Sequence, residues 1–329
     1  MTPAFSILMA AYNAERYIGE ALDSLQRQTF ADFEALCVDD GSTDGTWDIL
    51  QSRAAGDSRF KVFRLGENGG QARARNFALE RAVGEYVAFL DADDFYADDA
   101  LQLLHDAFRE SVDTDCVLFD VVYCSEDGRS GNHYGGISFN CITGAEAFEY
   151  ALPWKIHGVY AVRAGIHRRI PYLDDLPAYS DDKTTYLHYL ESRKVRSSTA
   201  AYFYRDNPGS VTRKVSAARF NWLASSLHFK GLLEEMGMPE RIRSIWEREL
   251  WLVLVGCYKF LCDNGGAFTE KEGREALALI KEAWRGMDFQ RLPATLKCKP
   301  GYMPMKGCWP LFSLQARLYF MAKRVLGRG

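Results

Sequence analysis

Four short polar clusters each follow an apolar run in the first hundred residues: Tyr12-Asn13, Asp39-Asp40, Asn68 with Arg75-Asn76, and Asp91-Ala92-Asp93-Asp94. The last is the sharpest. Carboxylates crowded into one turn repel one another unless a cation lies between them. Hard divalent ions such as Mg2+ or Mn2+ take oxygen ligands, and are often held by one or two carboxylates together with substrate phosphates. A lone D-x-D is frequent by chance, and the commoner role of any single acid after a buried strand is to cap the next helix. Four such points on one rim are harder to dismiss.

The elements that must position them are legible from hydrophobic period. Phe5 to Met9 reads as a buried strand and Glu15 to Gln28 as a helix with Ile18, Leu22 and Leu25 on one face. Phe33 to Val38 is the next strand, and Ser42 or Thr43 is placed to cap a helix reaching about Ala55. Phe60 to Leu65, Gln71 to Val83, Tyr86 to Leu90, Asp98 to Arg109 and Cys116 to Tyr123 repeat the alternation. Strands alternating with helices predict a mostly parallel sheet with helices on both faces, and ligands in such sheets sit at the carboxyl ends of the strands. Residues 124–140 read as a loop or irregular hairpin, and Val195 to Arg205 returns to strand character. From Ser216 onward the pattern is helical, broken by proline and glycine between Pro293 and Pro310 before a last helix. The expected domains are therefore 1–213 and 214–329.

Composition bounds the class. The 329 residues are 47% hydrophobic and 26% charged, as in a globular protein rather than a disordered one. The longest uncharged apolar stretch, Leu250 to Tyr258, is about half of what a membrane crossing needs. No cleaved signal is expected, which with eight cysteines lacking any C-x-x-C pair predicts reduced thiols and a cytoplasmic location. The charge is divided: residues 1–213 carry 21 Lys+Arg against 33 Asp+Glu, whereas residues 214–329 carry 19 against 11. After Asp288 there are eight basic residues and no acid. An acidic half and a basic half facing something anionic follow from that split.

The strings Ser6-Ile7-Leu8-Met9-Ala10-Ala11-Tyr12-Asn13, Ser24-Leu25-Gln26-Arg27-Gln28-Thr29, Val38-Asp39-Asp40-Gly41-Ser42-Thr43-Asp44-Gly45-Thr46 and Phe89-Leu90-Asp91-Ala92-Asp93-Asp94 together resemble family-2 glycosyltransferases. The resemblance covers about residues 5–100, in matching order and spacing. It implies the GT-A fold, a nucleotide-sugar donor and a divalent metal, Mn2+ or Mg2+. It places Ala10, Tyr12, Asn13, Asp39, Asp40, Asn68 and Arg75 around the nucleotide, with Tyr12 stacked on the base and Asp40 accepting from a ring N–H. Asp91 falls at the ribose or on the metal, Asp93 on the metal itself, and Asp94 supports either the turn or the donor sugar. Ser180-Asp181-Asp182-Lys183 resembles the family's "E-D" segment with Asp in place of Glu. Asp182, or failing it Asp181, is then the base that takes the acceptor proton, although acids there also satisfy the free N–H groups of a helix start. Tyr204 to Thr212 resembles the segment closing the family's catalytic domain. Arg205 and Ser210 would lie over the leaving diphosphate there, unless the loop is plain surface. Trp154-Lys155 resembles an element preceding the acceptor region.

The expected activity is inverting, metal-dependent transfer of a sugar, UDP-linked, to a hydroxyl of a glycan or lipid-linked glycan, with no nucleic-acid partner. A nucleotidyltransferase is the rival enzyme, but it would carry a glycine-rich basic loop where this chain has Ala10-Ala11-Tyr12-Asn13-Ala14-Glu15. A non-catalytic sugar-binding module is the third reading. In the last helix Leu311, Leu314, Leu318, Met321 and Val325 share a face, with Phe312, Tyr319 and Phe320 nearby. Such a basic amphipathic helix either lies on an anionic membrane surface or packs its stripe on the protein.

Overall fold

The computed structural model describes residues 2–174, 181–210 and 214–326, with side-chain detail for all of these except Ser130 and Asp181. The chain divides into two compact units, Met1–Gly209 and Ser210–Gly329.

The first unit runs β1 (Phe5–Ala11), α1 (Ile18–Gln26), β2 (Phe33–Asp39), α2 (Thr46–Gly56), β3 (Phe60–Arg64), α3 (Gln71–Leu79), β4 (Tyr86–Phe89), β5 (Phe95–Tyr96) and α4 (Ala100–Arg109). It continues with β6 (Thr114–Cys124), β7 (Ser130–His133), β8 (Cys141–Thr143), α5 (Gly144–Ala151), β9 (Tyr160–Arg163), α6 (Ala164–Arg169), α7 (Asp181–Glu191) and β10 (Lys194–Arg205). The sheet order is β3-β2-β1-β4-β9-β6-β10-β5, with β7 on β6 and β8 on β10. β3, β2, β1 and β4 are mutually parallel, as crossover helices require. β1 shows why this sheet is buried on both faces. Phe5, Ile7, Met9 and Ala11 join the core that also holds residues of α1 and α4, while Leu8 and Ala10 join the one that holds residues of α3.

The mixed α/β sheet agrees with the expected architecture, and the departures have local causes. β9 enters antiparallel between β4 and β6, and it and α6 are too short, at four and six residues, to show a period. α5 begins with a capping box, Thr143 with Glu146, a sequence-legible signal that lacked a long apolar repeat behind it. Neither Ser42 nor Thr43 caps α2. The N-cap is Gly45, with no side-chain cap, and Asp44 just before it accepts through Oδ1 from the Thr46 N–H at 3.1 Å and hydroxyl at 2.6 Å. α7 is buried on several sides: Lys183, Thr184, Thr185, Tyr186, His188 and Tyr189 are all inside. His188 Nε2 meets the Ile170 carbonyl at 2.7 Å, which fixes it as the protonated nitrogen, so Nδ1 accepts from the Tyr160 hydroxyl at 2.7 Å.

The second unit contains a short 3-10 turn (Ala217–Phe220) and then α8 (Asn221–Glu235), α9 (Glu240–Asn264), α10 (Glu270–Arg285), α11 (Ala294–Lys297) and α12 (Trp309–Val325). Trp251, Tyr258, Trp284, Phe312 and Phe320 fill its core. Glu247 is buried there, accepting from Lys230 at 3.0 Å and from the Asp288 N–H at 2.6 Å. Among the described residues no helix is long and apolar enough to cross a membrane.

Candidate active site

The carboxyl ends of β1, β2, β3 and β4 fall on one rim of the sheet, and contacts join the four polar clusters along it. At the end of β1 the backbone turns through Asn13 (φ 48°). The Asn13 N–H donates to Ser42 Oγ at 2.9 Å, and its Oδ1 accepts from the Thr43 N–H at 2.9 Å. Asn13 therefore staples two loops, leaving the neighbouring Tyr12 ring half exposed above them. Ala10 lies within β1 paired with Val38, its side chain against the core.

At the end of β2 the two acids part company. Asp39 is fully buried, its Oδ1 accepting from the Ser42 N–H at 3.1 Å and its Oδ2 paired with Arg64 at 3.0 Å. That Oδ2 meets Arg64 as an ion pair rather than in hydrogen-bond geometry. Asp40 accepts from the Gly69 and Gly70 N–H groups at 3.0 and 2.7 Å. Burial raises the Asp40 carboxyl, against the pull of those two amides and the charge of Arg73. Gly41 makes the approach possible: φ is +78°, and a Cβ would sit 2.9 Å from the Glu67 carbonyl carbon. Asn68 Oδ1 accepts from the Gly70 N–H at 3.1 Å, so Asn68 shapes the same loop.

The turn after β4 is the centre of the site. Asp91 accepts from Gln71 Nε2 at 2.8 Å and pairs with Arg75, whose buried guanidinium lies 4.2 Å over the Phe89 ring. Asp94 is buried, accepting from the Tyr202 hydroxyl at 2.7 Å and the Arg205 N–H at 2.8 Å. Burial, and then the charges of Asp91 and Asp93, push its carboxyl well above the usual carboxylate range. Asp93 is partly exposed and accepts from Asn207 Nδ2 at 2.9 Å. The Tyr202 and Arg205 contacts tie Asp94 into the turn.

Arg205 holds that turn from the other side. Its Nε donates to the Asp93 carbonyl at 2.8 Å and Nη1 to the Glu126 carbonyl at 2.6 Å, while Nη2 pairs with Glu20. The guanidinium is buried and committed to these partners, so the structure shows it clamping the carboxylate turn rather than presented outward. Ser210 is the first residue of the second unit and adjoins residues 211–213, which are outside the described residues.

Asp182 lies in the first turn of α7, partly buried, and the Asp181 side chain is outside the described residues. α7 is tied to the rim through α3. Asn76 brackets Tyr172, donating to its carbonyl at 2.8 Å and accepting from its N–H at 2.9 Å, and the Leu173 N–H donates to Thr184 Oγ1 at 3.1 Å. Tyr172 also lies 5.2 Å from the Arg75 guanidinium. Trp154, half exposed with φ 56°, accepts through its carbonyl from the Tyr134 hydroxyl at 2.5 Å.

Sequence reasoning missed Tyr202, Asn207 and Gln71. Tyr202 looked like any strand aromatic, Gln71 like the first residue of a helix, and Asn207 stood inside the segment Tyr204 to Thr212 without a role of its own. Among the described residues no group of three His, Cys, Asp or Glu side chains forms a protein-only metal cage. The rim nevertheless suits a hard cation: the acidic turn stays crowded enough to raise Asp94, and Asp93 beside it is partly exposed, with one oxygen accepting from Asn207. One carboxylate plus phosphate oxygens is an ordinary Mg2+ or Mn2+ environment. Two open depressions of the first unit, of about 870 and 570 Å3, lie elsewhere, one around Arg163 and Arg168, the other around Tyr134 and Ser198. Neither includes a residue of the acidic turn.

A sheet of this order with an acidic turn after β4 defines a GT-A-type transferase fold. The model of "Glycosyl transferase family 2" matches residues 6–171, half of the chain, and the chain belongs to that family. It is 49% identical over 100 residues to the putative teichuronic acid biosynthesis glycosyltransferase TuaG of Bacillus subtilis, a stretch covering 30% of this chain and 40% of TuaG. The chain thus spans about two fifths of the length of that relative. S. aureus TarS 1-349, solved with UDP and with UDP-GlcNAc, shares the fold at TM-score 0.69 and 21% identity, over 98% of this chain and 91% of that one. The mannosyltransferase PcManGT of Pyrobaculum calidifontis, in complex with GDP-Man and Mn2+, aligns at TM-score 0.52 and 18% identity, over 100% of this chain and 89% of that one.

Proposed function

We propose that the chain is an inverting glycosyltransferase that passes a sugar from a UDP-linked donor to a hydroxyl of a glycan or lipid-linked glycan. The observation that carries this reading is the turn after β4, where Asp94 is locked inside while Asp93 stays partly exposed. Asp93, with Asp91 beside it, would hold Mn2+ or Mg2+, which when bound offsets the charge of the donor diphosphate. Tyr12 stands exposed to stack on the base, and each Asp40 oxygen keeps a lone pair for a ring N–H beyond the glycine amides it accepts. Asn13 and Asn68 shape the loops beside that base site, with Ala10 and Asp39 in the strands beneath, and Arg75 holds Asp91 for the ribose or the metal. Asp182 takes the acceptor proton as its oxygen attacks the anomeric carbon, with Asp181 the alternative base. Arg205 serves the leaving diphosphate through the turn. All eight cysteines are free, which suits the reducing cytoplasm where nucleotide sugars are made.

The test is thermal stabilisation by UDP and by UDP-sugars, with Mn2+ or with EDTA, since a ligand of the native state raises the melting temperature. UDP should stabilise the wild-type chain in Mn2+ and much less in EDTA, and Asp93→Ala should abolish the difference. Equal UDP stabilisation of wild type and Asp93→Ala under both conditions would remove the metal from the reading.

A further inference from the structure

α12 is apolar on two opposite sides, and among the described residues only one is covered. Phe312, Ala316 and Phe320 recur every fourth residue and are buried in the core of the second unit. Phe312 and Phe320 are therefore core residues, and Tyr319 packs partly against the same core. The other side carries Leu311, Leu314, Leu318, Met321 and Val325, which are 48, 56, 57, 61 and 82% exposed. Their spacing of three and four residues makes one continuous stripe along the helix. Leu326 extends it at 70% exposure. Scattered exposed leucines need no explanation, but a contiguous stripe of this length marks a surface that meets something apolar.

The charges around it select the partner. Arg317 and Arg324 stand exposed beside the stripe, and Lys297, Lys299 and Lys306 are exposed in the segment leading to α12. The chain from residue 289 onward contains no acid to neutralise them. Four of these charges already have neighbours, though all stay exposed: Arg324 pairs with Asp263, Arg317 donates to the Tyr258 hydroxyl at 2.9 Å, Lys297 donates to the Gln290 carbonyl at 2.8 Å, and Lys299 lies 4.8 Å from the Tyr302 ring. A second copy of this helix would bring basic groups against basic groups, which disfavours self-association through the stripe. A bilayer surface with anionic headgroups satisfies both features at once, taking the apolar face below the headgroups and the basic groups among them.

We infer that α12 is a membrane-surface anchor that docks the protein on anionic bilayers through Leu311, Leu314, Leu318, Met321 and Val325. It does not insert as a span, since its other side remains committed to the core. This gives physical form to a lipid-linked acceptor in the functional reading, but the donor chemistry does not depend on it.

The experiment is co-sedimentation of the full chain with vesicles of phosphatidylcholine alone and of phosphatidylcholine with phosphatidylglycerol. The comparison is with Leu314→Glu/Leu318→Glu, two exposed positions whose change leaves the core intact, as an unaltered melting temperature would verify. The wild-type chain should pellet with the anionic vesicles and little with the neutral ones. Raising salt should weaken binding without abolishing it, because charges are screened and the apolar contact is not. The double variant should bind at least tenfold more weakly while its UDP response is unchanged, which separates failure of the anchor from failure of the transferase reading. Equal partitioning of wild type and variant onto anionic vesicles would overturn the proposal. So would a vesicle-independent dimer that the same two substitutions dissolve.

Discussion

Asp94 is the buried member of an acidic turn whose other two carboxylates reach solvent, and two donors hold it there. The Tyr202 hydroxyl does double duty, donating to Asp94 Oδ2 at 2.7 Å and accepting from the Asp91 N–H at 3.2 Å. Tyr202→Phe keeps the ring in the core and removes both bonds. Leaving a buried carboxyl short of a donor costs about 1–3 kcal/mol, so the variant should melt several degrees lower. The same variant should bind UDP with Mn2+ more weakly, because the turn that presents Asp93 is then less fixed. A Tyr202→Phe chain with wild-type melting temperature and UDP affinity would show that the backbone donor of Arg205 suffices alone.

At the scale of elements, the rim works because helices and strands far apart in sequence converge on it. α3 supplies Gln71 and Arg75 to Asp91, β10 ends in the Arg205 that clamps the turn, and α3 in turn holds Tyr172 ahead of α7. The first turn of α7 carries Asp182, and replacing it tests the assigned base. Asp182→Asn preserves shape and removes the proton acceptor, so turnover should fall about 10²-fold or more while UDP binding persists. If Asp181→Asn is the inactive variant and Asp182→Asn retains turnover, the two exchange roles.

For the molecule as a whole, the first unit holds neutral histidines inside it, and they set how acid unfolds it. Burial pushes the His188 imidazole down to about 4, and the same cause pushes His157 to about 4. In the unfolded chain both return to about 6.5. Between those values the unfolded state binds more protons than the folded one, so stability is lost as pH falls from about 6.5 toward 4. Each such histidine contributes a slope of about 1.4 kcal/mol per pH unit in that window. Asp94 acts in the opposite sense, its raised carboxyl favouring the fold as it becomes protonated. Urea unfolding at pH 7 and pH 5 should show the loss, and His188→Gln should lessen the slope by about one proton. An unchanged slope would mean that His188 takes up its proton in the folded state.

Composition, period and motif order were enough to determine the alternating sheet, the rim and the identity of the acids on it, because each is written within a few consecutive residues. Asp91, Asp93 and Asp94 are indistinguishable as letters, however, and the division of labour among them depends on which side chain Tyr202 and Arg205 reach from over a hundred residues away. Arg205 likewise looked available until Glu20, Glu126 and the Asp93 carbonyl were brought around it. The stripe on α12 was equally plain in the sequence, but an apolar face can be covered or open. Only the packing of Phe312 and Phe320 decided that, because one helix can turn just one side to the core. Sequence specifies what each element could present, and tertiary contact decides which atoms are already spent, since burial and partners come from chain segments that no local pattern records.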